Sequence, residues 1–322
     1  MTASARSGPL QPLRPRNSSA AGATDGWCQR WRSRHHSWRH TSEGGFDPNR
    51  YVVTPLAERP AREFVTHHHY SATWPSAKLR YGLVDRWPVD EHTGPGTLWL
   101  PWGQLVGTLV LGVPMQRKVL TGPFPTLEPY HESLDLSRLV ILDSVPANAE
   151  SWFCARVFEL AAAAGIRGIV AFSDPIPRWR GTDLILPGHV GTIYQASNFI
   201  YTGRGTPRTL ILLPDGTALT ARAAAKVTGG ERGRDGVVAR LVAQGATPPA
   251  GEDPAEWLAQ ALHGIGVRKV RHPGNHRYIH RIGRTRAERT RVVIGMSSQQ
   301  YPKRDDAPSP AGTATGTHPQ PD

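Results

Sequence analysis

The chain has 322 residues, with 38 Lys and Arg against 26 Asp and Glu. It is long enough to bury a full core, and its net charge of +12 suits either a polyanionic partner or a plain basic surface. Two cysteines, Cys28 and Cys154, form neither a disulfide framework nor a zinc spacing, no apolar run reaches the length of a membrane span, and no apolar leader opens the chain, so a reducing, cytoplasmic setting is expected and a membrane or secreted protein is not.

Residues 1–45 are rich in Ser, Ala, Pro, Arg and Gly and read as a disordered basic arm. Its second half, GWCQRWRSRHHSWRH, interleaves three tryptophans with arginines and histidines. Such a mix stacks on bases and rests on phosphates, or docks its indoles on its own domain. His67-His68-His69-Tyr70 is the segment densest in histidine. Neutral imidazoles ligate transition metals, and with a carboxylate such as Asp174 they would complete an iron site. Read as a strand, adjacent histidines point to opposite faces, so at most two of the three share a site, and base or phosphate contact by His69 and Tyr70 is the competing reading.

From there the pattern turns globular. Gly96–Trp102 and Leu105–Gly112 read as a two-stranded hairpin, and Leu139–Leu142 as a buried strand. Trp74, Trp99 and Trp102 either pack in the core or form a stacking wall. Pro146 and Asn148 introduce a helix over Ala149–Ala164, with Trp152, Phe153, Val157, Leu160, Ala161 and Ala164 at helical spacing and Gly165 as its stop. Ile169–Phe172 is the next buried strand, so strand, helix and strand form a parallel crossover. Thr192–Phe199 is a short helix entered from a turn at Gly191. Thr209–Leu213, a Pro-Asp-Gly turn and Thr217–Thr220 follow. Residues 229–251 read as a linker. Asp253 caps a helix that starts at Pro254 and stops at Gly264, and Arg277–Ile282 is the last strand. The chain thus divides into the arm, a core over 46–228, a region over 229–300 and a disordered tail over 301–322.

Chemistry concentrates at strand ends. In an open parallel sheet the C-terminal ends of neighbouring strands converge on a crevice. Asp174, after Ser173, would there orient an exocyclic amine or take its proton, as a delocalised amine requires. Arg138 pairs either with Asp174 or with a substrate anion. Asn148 and Ser151 stand at a helix N-terminus, where they cap it or hold a pyrophosphate. Residues 268–304 carry eleven Lys and Arg against the single acid Glu288, which reads as a phosphate-tracking surface with Arg277 and Arg281 on it and Tyr278 stacking or packing.

The order of strand, helix at an Asn/Ser turn, strand, and helix with a tyrosine resembles the second half of the GNAT acyltransferase fold. His69-Tyr70-Ser71, Leu136–Asp143, Asn148–Ser151, Phe172-Ser173-Asp174 and Gly188–Phe199, in that order, resemble the Mom family of phage DNA-modification proteins over roughly residues 60 to 290. The resemblance implies an α/β (α+β) protein with a GNAT-like mixed central sheet flanked by helices. The implied enzyme adds a carbamoylmethyl (acetamido) group to N6 of adenine, which shields phage DNA from restriction in the host cytoplasm. It implies acetyl-CoA or a related donor, held at Leu139, Ile141, Asn148, Ser151 and Asn198, and it keeps iron open. It implies Asp174, Tyr194, His189, Arg138 and Ser173 as catalytic residues, with Tyr194 protonating a leaving thiolate and His189 shaping the substrate side. His69, Tyr70, Arg277, Tyr278 and Arg281 would contact the substrate. The partner would be double-stranded DNA with a flipped adenine, or single-stranded DNA, because a stacked base cannot reach a cleft. The GNAT signature Arg/Gln-x-x-Gly-x-Gly/Ala is absent. A conventional N-acetyltransferase of a protein or small amine, and a non-catalytic nucleic-acid-binding protein, are the alternatives.

Overall fold

A computed structural model describes residues 27–88, 94–180 and 182–303. Two compact units result: one holds residues up to 171 with 196–199 and 279–297, the other 172–195, 200–278 and the residues from 298 on.

The first unit begins with a hairpin, β1 (Trp27–Arg32) and β2 (His35–His40), followed by β3 (Tyr51–Pro55), α1 (Glu58–His68), β4 (Ala77–Asp85), β5 (Trp99–Leu100), β6 (Gly103–Gly112), α2 (Lys118–Thr121), β7 (Ser133–Ile141), α3 (Ala149–Ala163) and β8 (Gly168–Ser173), whose last two residues belong to the second unit. Its sheet runs β8-β7-β6-β4-β3, with β5 folded back on β6. Only β7 and β8 are parallel among these pairs, so the sheet is mixed. The α3 crossover makes this possible, since parallel neighbours need a long connection. β6 is buried along nearly its whole length, as a central strand must be. α1 packs on β4, β6 and β7, and α3 on β3 and β4, with Phe64, Val65, Phe153 and Val157 fully buried.

The second unit holds β9 (Arg178–Arg180), β10 (Asp183–Leu186), α4 (Thr192–Ala196), β11 (Ile200–Arg204), β12 (Arg208–Leu212), β13 (Ala218–Leu219), α5 (Ala221–Thr228), α6 (Arg234–Val242), α7 (Pro254–Gly264) and β14 (Arg268–His272). It also holds the first half of β15 (His276–Arg281), up to Tyr278, while α8 (Arg286–Arg291) lies in the first unit. β12 pairs with both β13 and β14, and Leu213, Leu219, Val227, Leu241, Trp257 and Leu258 form an apolar core of their own. Asp253 caps α7 as its sequence implies, accepting from the amides of Ala255 and Glu256.

Four expectations change. Residues 27–40 are no loose arm but a paired hairpin, anchored by buried Trp31 and by Arg30, which has no exposed surface. His67 and His68 end a helix rather than lie on a strand, and His69 caps it. The supposed linker contains α6, because Val237, Val238, Leu241 and Val242 recur at helical spacing and pack on the small core. Trp99 and Trp102 stand exposed rather than packed in the core. The disorder expected for residues 1–26 and 304–322 falls outside the described residues.

Candidate active site

Asp174 follows β8 directly and is nearly buried. Its Oδ1 accepts from His272 Nε2 at 2.9 Å and from the Ile176 amide at 3.0 Å, while Oδ2 accepts from the Arg178 guanidinium. His272 has its other nitrogen, Nδ1, accepting from the Gly274 amide at 3.0 Å, which fixes its proton on Nε2. Burial by itself would raise the Asp174 carboxyl, but the bond from His272 and the charge of Arg178 outweigh it and bring the group down to about 2. A carboxylate this weakly basic and this fully engaged is a poor proton acceptor. It acts as an anchor that draws β14, β9 and the loop after β8 to one point.

The segment Gly188-His-Val-Gly191 leans on that anchor. The His189 amide donates to the Asp174 carbonyl at 2.9 Å. Burial pushes the His189 imidazole down to about 4 against the pull of Asp174, so it is neutral at pH 7 and accepts a proton only as a weak base. Both glycines sit at positive φ. A Cβ at Gly188 would meet the Pro175 carbonyl oxygen at 2.5 Å, and one at Gly191 would meet the Tyr278 ring at 2.7 Å. α4 then places Tyr194, whose hydroxyl donates to the Phe172 carbonyl at 3.4 Å, tying the phenol to the end of β8. Ser173 is fully buried and its hydroxyl has no hydrogen-bond partner among the described residues. Asp174, Ser173, His189 and Tyr194 all lie within the second unit.

The other candidates are distributed differently. The arginine paired with Asp174 is Arg178. Arg138 instead donates to the Thr73 carbonyl and hydroxyl and to the Ser137 carbonyl. Tyr278 has no exposed surface and donates to the Val190 carbonyl, which excludes it as a base-stacking residue in this conformation. Arg277 is bound to Thr202, and Arg281 reaches the Val292 carbonyl. Arg268, Lys269 and Arg271 project exposed from β14. His69 Nδ1 accepts from the Ser71 amide, and its ring lies 4.2 Å from that of Tyr70 and 6.1 Å from that of Trp31. Among the described residues no three His, Cys, Asp or Glu side chains gather as a metal site. The Asp174 oxygens already hold three donors, so His69 with Asp174 is not supported as a ligand set.

At the start of α3, Asn148 is exposed and left-handed, with φ of 72°, and its side chain makes no cap bond. It takes the backbone conformation that glycine takes in phosphate loops, which asparagine tolerates. The first-turn amides of this 15-residue helix therefore lack a side-chain cap, and Ser151 donates to the Asn148 carbonyl. Leu139 and Ile141 pair with β6, and Asn198 is left-handed at 58°. Sequence reasoning missed His272 and Arg178 as partners of Asp174. Nothing at a separation of 98 residues could mark the first, whereas Arg178 at i+4 was readable.

A family model described as the Mom protein family matches residues 50–303. Two solved structures are similar to the chain. One, "Crystal structure of a putative phosphinothricin N-acetyltransferase", is 12% identical and covers 52% of this chain and 92% of its own, with a TM-score of 0.29. The other, a tandem GNAT protein from the clavulanic acid biosynthesis pathway, is 12% identical and covers 73% of this chain and 75% of its own, with a TM-score of 0.31. No curated protein matches the chain.

Proposed function

The chain belongs to the Mom protein family, and on that footing we propose that it is a DNA-modifying transferase that adds a carbamoylmethyl group to N6 of adenine. The observation that carries this reading is the cluster after β8. There the His189 amide is tied to the Asp174 carbonyl and the Tyr194 phenol to the Phe172 carbonyl, beside a carboxylate that three donors keep ionised. A binding protein has no need of that arrangement, whereas transfer to an amine needs a group that receives a proton and one that supplies it. His189 suits the first task. The Tyr194 phenol, protonated at neutral pH, suits the second.

A donor bound through coenzyme A would have to deliver the carbamoylmethyl group through its methylene carbon with loss of a leaving group, because attack on the carbonyl of an acetyl thioester gives an N-acetyl group instead. The pyrophosphate of such a donor would rest on the uncapped first-turn amides of α3, with Asn148 and Ser151 beside it. The exposed cations of β14 and the basic run that follows would follow the DNA backbone, whose target base must leave the stack. Plasmid recovered from cells expressing the protein is expected to resist restriction enzymes whose recognition sites contain adenine. Plasmid cut as completely as that from control cells, despite folded protein in the same cells, would contradict the reading.

A further inference from the structure

The centre of the first unit's sheet carries polar side chains that the cluster after β8 leaves unexplained. β7 is flanked by β6 and β8, and such a strand is normally sealed. Yet Asp135, Ser137, Arg138 and Leu139 are all partly accessible. The cause is a β-bulge. Val110 pairs with Arg138 and Leu111 with Leu136, so Ser137 is an extra residue on β7. Gly112 makes room for it, since a Cβ there would stand 2.5 Å from the Ser137 hydroxyl.

Ser137 donates to Asp135 Oδ2 at 3.0 Å and is the one hydrogen-bond donor to that carboxylate among the described residues. This is the opposite of Asp174, whose oxygens are filled. Burial raises the Asp135 carboxyl to about 6 despite Ser137 and Arg138, as for a carboxylate short of donors. From Arg138 a chain of bonds runs outward: its Nη2 donates to Thr73 Oγ1 at 2.9 Å, Thr73 donates to Ser71 Oγ at 3.2 Å, and Ser71 lies 2.9 Å from His69 Nδ1. The Ser71 amide also donates to that nitrogen, so the His69 proton sits on Nε2. Tyr70, whose ring lies 5.0 Å from that of Trp31, acts electrostatically on the same Arg138 as Asp135 does. A carboxylate with a single donor, two positions from the Ser137 bulge and on the strand whose Arg138 leads through a fixed polar network to His69, matches a planar base bearing an amino group.

We propose that Asp135 accepts a hydrogen bond from the exocyclic amino group of the acceptor base and so selects adenine. This inference rests on the DNA-adenine reading, and it makes Asp135 a specificity residue supported by the Ser137 bulge. The test is fluorescence anisotropy with the full chain and two labelled single-stranded oligodeoxynucleotides. One carries a lone adenine among thymines, and the other carries purine, which is adenine without its amino group, at that position. The unaltered protein is expected to bind the adenine strand about tenfold more tightly at pH 7.5. That preference should weaken as pH falls through about 6, where Asp135 takes up its proton. Asp135→Ala should bind both strands alike. If it does not fold, Asp135→Asn decides: it should keep a preference that no longer changes with pH. Equal binding of the two strands by the unaltered protein, or an unchanged preference in folded Asp135→Ala, or an unchanged pH step in Asp135→Asn, overturns the inference. Absence of modified adenosine in expressing cells strikes the functional reading instead.

Discussion

Asp174→Asn is expected to lower adenine modification by about a hundredfold at a temperature where the variant is still folded. The replacement keeps the size of the side chain and removes its charge. Arg178 then loses its counter-ion, and because His272 Nε2 and the Ile176 amide both donate to Oδ1, the new amide group takes the place of Oδ2 and turns N–H toward the Arg178 guanidinium, itself a donor. His189 and Tyr194 are attached to the same turn, through the Asp174 and Phe172 carbonyls, so their relative placement loosens. Stability falls as well. The folded carboxyl lies near 2 against a usual 3.8, and a depressed carboxyl contributes stability that is present above 3.8 and lost as pH falls through 2. That contribution is on the order of 2 kcal/mol and is absent in the variant at every pH. Urea denaturation and nucleoside quantification on the same preparations separate the two effects. Full modification by a variant that is measurably less stable would remove Asp174 from the functional site.

Glu150→Ala is expected to destabilise the first unit by about 3–5 kcal/mol, read as a shift in the urea midpoint. Glu150 lies in the first turn of α3 and pairs with Arg30, whose side chain has no exposed surface. Burial brings the Arg30 guanidinium down to about 10, still charged at neutral pH. It also donates to the carbonyls of Val145 at 3.1 Å and Pro146 at 2.7 Å, so it joins the hairpin to the loop between β7 and α3. Without Glu150 a buried cation remains with only carbonyl partners. Replacing both residues together, as Arg30→Met with Glu150→Leu, should cost less than Glu150→Ala alone, because no charge is left stranded. A single-variant effect below about 1 kcal/mol would mean that the hairpin is held by its aromatic contacts rather than by this pair.

Much of the fold was legible because its signals are local. The α3 crossover shows in the spacing of Phe153, Val157 and Ala161 between two short apolar runs, and α7 shows in Asp253, Pro254 and Gly264. The hairpin at Trp27–His40 was not legible, because its strands are rich in charge and are stabilised by distant partners. Arg30 bonds across 115 residues to Val145, and Arg32 across 111 to Asp143. The same limit governs the candidate site. Gly188, Gly191 and Tyr194 announce themselves within one short segment, and the structure gives the reason, since each glycine stands where a side chain would collide with Pro175 or Tyr278. His272 looked like one more member of a basic run, yet it is fully buried on Asp174. Tyr278 sits in the same run and is core as well, so charge density along the chain mixed a surface strand with a buried one. Asp135 drew no attention because an acid on an apolar strand looks like a solvent-facing alternation. Only the bulge at Ser137 shows where it lies.

The measurement that tests the central claim most directly is mass spectrometry of nucleosides from the DNA of cells expressing the full chain. A new deoxyadenosine species, heavier by one acetamido group and reduced about a hundredfold in cells expressing Asp174→Asn, is the predicted result. Unmodified deoxyadenosine in cells that contain the folded protein would contradict the account.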